Sequence, residues 1–307
     1  MRKFVVKILI FAGVVLCATT LLWRCMITVE NNYSIRSHET NVRRQIERLD
    51  TLQSPKIIFI GGSGCGFGIS SPMIRDHSHM NVCNTGTHAG LGLRLQVELY
   101  RKCISKGDIV VIIPEYEQYT GLFLGDETVF RIFTSTYKPG YKHISVRQQF
   151  HLFPYVAKAF HDDAIMKGLK EVDATSPYSI ASLNEYGDVE NYAYRNHREA
   201  AWKPNALEGD VDKTVIPYLK GLYQECIEKQ ATMLIFPPAF RQGAFEFNEG
   251  KIEEIWNMLE QSDLPVVSNP RACMLPDSLY YDTDYHLTYE GVVIRTNKLI
   301  ADLDALL

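Results

Sequence analysis

Two residues of this chain, far apart in sequence, are placed for nucleophilic chemistry. Ser63 stands in IIFIGGSGCGFGISS, residues 57–71. An apolar run that passes straight into glycines reads as a buried strand ending in a tight turn, where backbone N–H groups can approach a ligand. Open α/β sheets place their sites at such strand ends. The glycines fit no phosphate pattern: no lysine follows them as a P-loop requires, and Gly-x-Gly-x-x-Gly fails in every register. The Gly-x-Ser-x-Gly elbow fails because Cys65 takes its last position. A strand-to-helix turn with an incidental serine is the alternative. The second residue is His286, in YYDTDYHLTYEG, residues 280–291. A carboxylate on one imidazole nitrogen would fix the tautomer, leaving the other nitrogen to remove a serine proton. Asp284, two residues away, would share a side with His286 in an extended segment and is preferred; Asp282 is the alternative acid. A locally bonded histidine before a helix capped by Thr288 is the other reading.

A Gly-Gly-Ser after the first strand, with an Asp/His pair before the last helix, resembles the SGNH/GDSL hydrolase superfamily over about residues 55–305. The resemblance implies Ser63 as nucleophile, His286 as base and Asp284 as the acid behind it. The Asp-x-His spacing is closer to the alginate O-acetyltransferase branch than to the common Asp-x-x-His. The family's second block, a strand, an Asn and an oxyanion glycine, is matched by NTGTHAGLG, residues 84–92. Gly90 is the first choice of N–H donor, Gly86 the second, and Asn84 would orient the loop. The third block, Gly-x-Asn-Asp, is absent: PEYEQY stands there, so Glu115 or Tyr116 would face the site. A carboxylate donates no hydrogen bond unless protonated. Arg241, after PP at 237–238, could hold an anionic or sugar group, with a salt bridge as the plainer role.

Apolar runs at KIIFIGG, NVCN, DIVVII, ATMLIF and LPVVSN alternate with helical spacing at 70–77, 88–106, 213–229, 248–262 and 288–306. This alternation implies a mainly parallel sheet with helices on both faces. The expected fold is a three-layer α/β/α sandwich of flavodoxin-like SGNH type. The stretch at about 120–212 reads as an insertion, partly helical around 145–170, whose aromatic residues suit either sugar stacking or core packing.

Ahead of this body, FVVKILIFAGVVLCATTLLW, residues 4–23, spans ~30 Å as a helix, the hydrocarbon thickness of a bilayer. It carries Arg2, Lys3 and Lys7 at its start, which places the N-terminus in the cytoplasm. A signal peptide is the alternative, but no small-x-small cleavage site follows. The expected organisation is an anchor at 1–25, a helical stalk at 26–54 and the α/β domain at 55–307. A net charge of −4 without a basic run argues against nucleic acid. The seven cysteines lack metal spacing, so buried thiols and no metal or cofactor are expected. The resemblance extends to envelope alginate acetyltransferases and teichoic-acid D-alanyl transfer proteins. It implies an acylated envelope polysaccharide as substrate and a membrane-bound O-acyltransferase as partner. The other outcomes are a plain esterase, or an inactive scaffold that binds glycan or that partner.

Overall fold

Aliphatic, largely β-branched runs make the centre of a parallel sheet. Strands β1 (Lys56–Gly61), β2 (Asn81–Asn84), β3 (Ile109–Ile113) and β4 (Thr232–Ile235) pair in the order β2-β1-β3-β4, all parallel. Phe59 lies beside Asn84 on one side and Val111 on the other. A parallel sheet is stable when both faces are covered, so its strands are apolar throughout. Here Ile58, Ile60, Val110 and Ile112 enter one hydrophobic cluster, and Ile57, Phe59, Val111 and Ile113 enter another. Lys56 is the exception. It is buried at the start of β1, and its Nζ lies 2.7 Å from Asp108 Oδ2.

The computed structural model describes residues 2–28, 35–159, 161, 172–196 and 203–306. Its helices are α1 (Arg2–Thr28), α2 (Asn41–Leu49), the single turn α3 (Ser63–Gly66), α4 (Ser71–Ser78), α5 (Leu93–Tyr100), α6 (Thr128–Ser135), α7 (Val146–Leu152), α8 (Val156–Ala159), α9 (Tyr192–Arg195), α10 (Val215–Glu228), α11 (Gln242–Glu260) and α12 (Tyr289–Asp304). Residues from α2, α5, α6, α10 and α11 fill the larger cluster; Ile74 of α4 and Leu299 and Leu303 of α12 fill the other. A short parallel ladder joins β5 (Phe240–Arg241) to β6 (Met274–Leu275). Thr288 caps α12, its Oγ1 accepting from Gly291 N at 3.3 Å.

Several expectations are corrected. LPVVSN contributes one parallel bridge, Val266 to Ile235, rather than a strand. Helix α11 starts at Gln242, six residues before the expected 248. Of the stretch read as a stalk, helix α2 is folded into the body: Val42, Ile46 and Leu49 are buried in the larger cluster. Within the expected insertion, helices α6 to α9 are described; the expected helix beyond residue 161 lies outside the described residues. Cys65, Cys83, Cys226 and Cys273 are buried free thiols. Residues Arg2–Leu21 of α1 are long and apolar enough to cross a membrane, and α1 lies against α6 and α8.

Candidate active site

Gly61 lets β1 approach β3 closely at the carboxyl end of the sheet, because a Cβ there would lie 2.3 Å from the Ile113 carbonyl oxygen. The chain then enters α3, and Ser63 occupies its first position. On the other side, Tyr280 and Leu287 form an antiparallel bridge, and Tyr281 N donates to His286 O at 2.8 Å. Residues 281–286 therefore form a closed loop that points His286 back at α3. His286 Nε2 lies 2.8 Å from Ser63 Oγ, and Nδ1 lies 2.9 Å from Asp282 Oδ1. The network assigns the proton to Nδ1, facing the carboxylate, and leaves Nε2 as an acceptor for the serine hydroxyl.

The carboxylate on the imidazole is thus Asp282, where the sequence reading preferred Asp284. Asp284 points away and pairs with Arg241, whose Nε lies 2.6 Å from Oδ1. The extended-strand argument for Asp284 fails because the segment is a loop, in which a four-residue separation brings Asp282 under the ring. Burial opposes the charge on Asp282, but His286, the Tyr178 hydroxyl and Arg195 hold its carboxyl below the usual range. Tyr178 OH donates to Asp282 Oδ2 and lies 3.1 Å from His286 Nδ1. Phe67 stacks on the imidazole with ring centroids 4.0 Å apart.

The other expected residues divide. Glu115 reaches the site: its Oε1 accepts from Gly64 N at 2.6 Å and from Ser63 Oγ at 3.1 Å. Burial, then the nearby Glu117, raises its carboxyl to about 7. Tyr116 does not face the site; it is buried in the larger cluster, edge-on to Phe240. Arg241 is a buried structural cation, bound to Asp284 and, through Nη1 at 2.7 Å, to Asp277. Gly90 N donates to His88 Nδ1 at 3.0 Å, and Gly86 N to Asn84 Oδ1 at 3.0 Å, so both expected oxyanion donors already serve their own loop. Asn84 is bonded into that loop through Gly86 N. Its Nδ2 donates to Cys65 O at 3.0 Å and to Asp188 Oδ1 at 2.8 Å, tying β2 to the serine turn.

Ser63, Glu115, Tyr178 and His286 line a cleft of about 440 Å³. Its remaining wall is mixed, with Ala89 and Leu122 beside Glu39, His88 and Arg131. Glu39 pairs with Arg131 at 2.6 Å, and that partner holds its carboxyl at about 2 although burial works the other way. Burial pushes His88 down to about 3, so it is neutral at ordinary pH. Reading the sequence missed Glu39, Phe67, His88, Arg131 and Tyr178. Phe67 and His88 lie inside the two glycine-rich blocks but had no role assigned there, Glu39 lies in the stretch read as a stalk, and Arg131 and Tyr178 lie in the stretch read as an insertion. Among the described residues, no group of three or more His, Cys, Asp or Glu side chains could hold a metal ion. No protein-family model, curated protein or solved structure matches this chain.

Proposed function

We propose that the chain is a membrane-anchored, serine-dependent acyl transferase or esterase acting on an ester, such as an O-acetyl group, of a cell-envelope glycan. The observation that carries this reading is the Ser63–His286–Asp282 hydrogen-bonded chain, open to a cleft at the carboxyl edge of a parallel sheet. His286 Nε2 takes the Ser63 proton as Oγ attacks the ester carbonyl. Asp282, itself held by Tyr178, stabilises the imidazolium that results. Collapse of the tetrahedral intermediate leaves an acyl group on Ser63, and the leaving alcohol takes the proton from His286. A sugar hydroxyl or water then repeats the cycle in reverse.

The carbonyl oxygen gains negative charge and needs donors. Gly64 N points at the Glu115 carboxyl next to Ser63, and a substrate oxygen seated there would replace Oε1 as its acceptor. A neutral Glu115 supplies a second donor, its own O–H, where the SGNH pattern has an Asn. The strand order β2-β1-β3-β4, the serine after β1 and the histidine before the last helix support an SGNH-like three-layer fold. Arg2, Lys3 and Lys7 at the start of α1 support a cytoplasmic N-terminus and a domain on the far side of the membrane, where a membrane-bound O-acyltransferase could supply acyl groups. Histidine, tyrosine and Asn205 groups in the cleft wall suit sugar hydroxyls. The test is incubation with an acetyl nitrophenyl ester followed by intact-mass measurement. Wild type should gain one acetyl group and Ser63→Ala none; an unmodified wild-type chain that turns over no ester overturns the proposal. Turnover with water alone, against turnover with an O-acetyl acceptor glycan, separates esterase from transferase.

A further inference from the structure

Helix α7 is apolar along the middle of the side that faces away from the protein, with exposed Arg147 and Gln149 flanking that stripe. Gln148 and Leu152 are buried, while Val146, Phe150 and Phe153, at spacings of four and three, are 68%, 78% and 50% exposed. These three form one stripe along the helix and the turn that follows it. A stripe of two phenylalanines and a valine in water is unusual for a short surface helix, which ordinarily turns polar residues outward. Exposed Phe247 and Ile227, by contrast, occur one to a helix.

The place of this stripe says what covers it. Thr19 and Thr20 of α1 face Phe130, Tyr141, Leu152 and Phe153 across an apolar crevice of about 380 Å³. Both threonine hydroxyls bond back to carbonyls of their own helix, so their polarity is satisfied within α1. At 1.5 Å per residue, Thr19 lies about 26 Å along the helix from Arg2, near the far edge of a ~30 Å hydrocarbon layer. Phe153 belongs to both the crevice and the exposed stripe, so the apolar surface runs without a break from the spanning helix onto α7. Lys138 and Lys142, on the turn before α7, are exposed cations suited to an anionic headgroup layer.

We propose that the Val146–Phe150–Phe153 face is a second membrane contact, seated in the lipid interface beside α1, so that the domain lies on the bilayer rather than swinging from a tether. The inference rests on α1 spanning the membrane and is independent of the chemistry at Ser63. The test uses the full chain in proteoliposomes of phosphatidylcholine and phosphatidylglycerol, with phosphatidylcholine brominated near the carbonyl end of its chains as quencher. Phe150→Trp and Leu9→Trp are prepared separately, and the emission each adds over wild type is followed. The expected result is that brominated lipid removes most of the added emission of both, and that the Phe150→Trp indole is shielded from iodide. Quenching of Leu9→Trp without quenching of Phe150→Trp overturns the contact and leaves the anchor standing. Shielding of Phe150→Trp from iodide without lipid quenching overturns it in favour of a protein partner. Unquenched Leu9→Trp removes the anchor and the contact together.

Discussion

Replacing Glu115 by glutamine separates two roles of one carboxyl group. Ionised, Glu115 accepts from Gly64 N and Ser63 Oγ, occupying the place an oxyanion needs and drawing the serine proton away from His286. Neutral, it donates. The groups around it are Ser63, Glu117 and, across the serine, His286. With its carboxyl at about 7, the neutral fraction is about a half at pH 7 and roughly 1% two units higher. If only the neutral form is competent, kcat/KM for a nitrophenyl ester falls tenfold per unit on the alkaline side. Glu115→Gln keeps a donor at every pH, so it should abolish this limb. It should then exceed wild type by about twofold at pH 7 and about a hundredfold at pH 9. Glu115→Ala removes the donor and should be slower than Glu115→Gln by roughly 10²–10³. Stability gives a second readout that needs no activity. A carboxyl raised from 4.5 to about 7 on folding stabilises the fold fully below 4.5, and that contribution is lost as pH rises through 7. Wild type should therefore lose up to about 3 kcal/mol relative to Glu115→Gln across this window, read by denaturant titration. An alkaline limb that persists in Glu115→Gln at the wild-type midpoint would refute the reasoning.

The two aspartates of the histidine loop should fail differently. Asp282→Asn should lower kcat by roughly 10³–10⁴ with little change in melting temperature, because the imidazole loses its orienting charge. Asp284→Asn should instead cost about 3 kcal/mol of stability, measured in urea, because it breaks the buried pair with Arg241. Asp108→Ala should destabilise by about 3–5 kcal/mol, since it leaves the Lys56 ammonium buried without its carboxylate. Arg195→Met should cost about 3 kcal/mol and slow acylation: the buried guanidinium donates to the Phe67, Val189 and Leu287 carbonyls, tying the ring beneath His286 to the histidine loop.

What the sequence made legible was what repeats. IIFIG, after Lys56, and IVVII are apolar at every position, as doubly covered strands must be, and Thr288 marks the start of α12. Ser63 and His286 could be picked out because each sits at the edge of such an element. Asp282 could not be chosen over Asp284, because the direction of a side chain in a non-repeating loop depends on hydrogen bonds such as Tyr281 N to His286 O. The region around α2 misled for another reason. Its polar residues look solvated, yet Glu39 pairs with Arg131, and Asn41 Nδ2 reaches Gly86 O and Gly187 O at 3.2 Å each. Those partners lie 45 to 146 positions away. LPVVSN had the composition of a strand, but it meets the sheet at one bridge only.

The burial of the segment before β1 bears on where the chain can be cut. A soluble version that starts at Pro55, the apparent domain edge, discards Val42, Ile46 and Leu49 from the larger cluster and takes Glu39 away from Arg131. The product would lose a wall of its cleft along with helix α1. A cut upstream of Ser37 keeps that wall, and with it the means to study the cleft free of lipid.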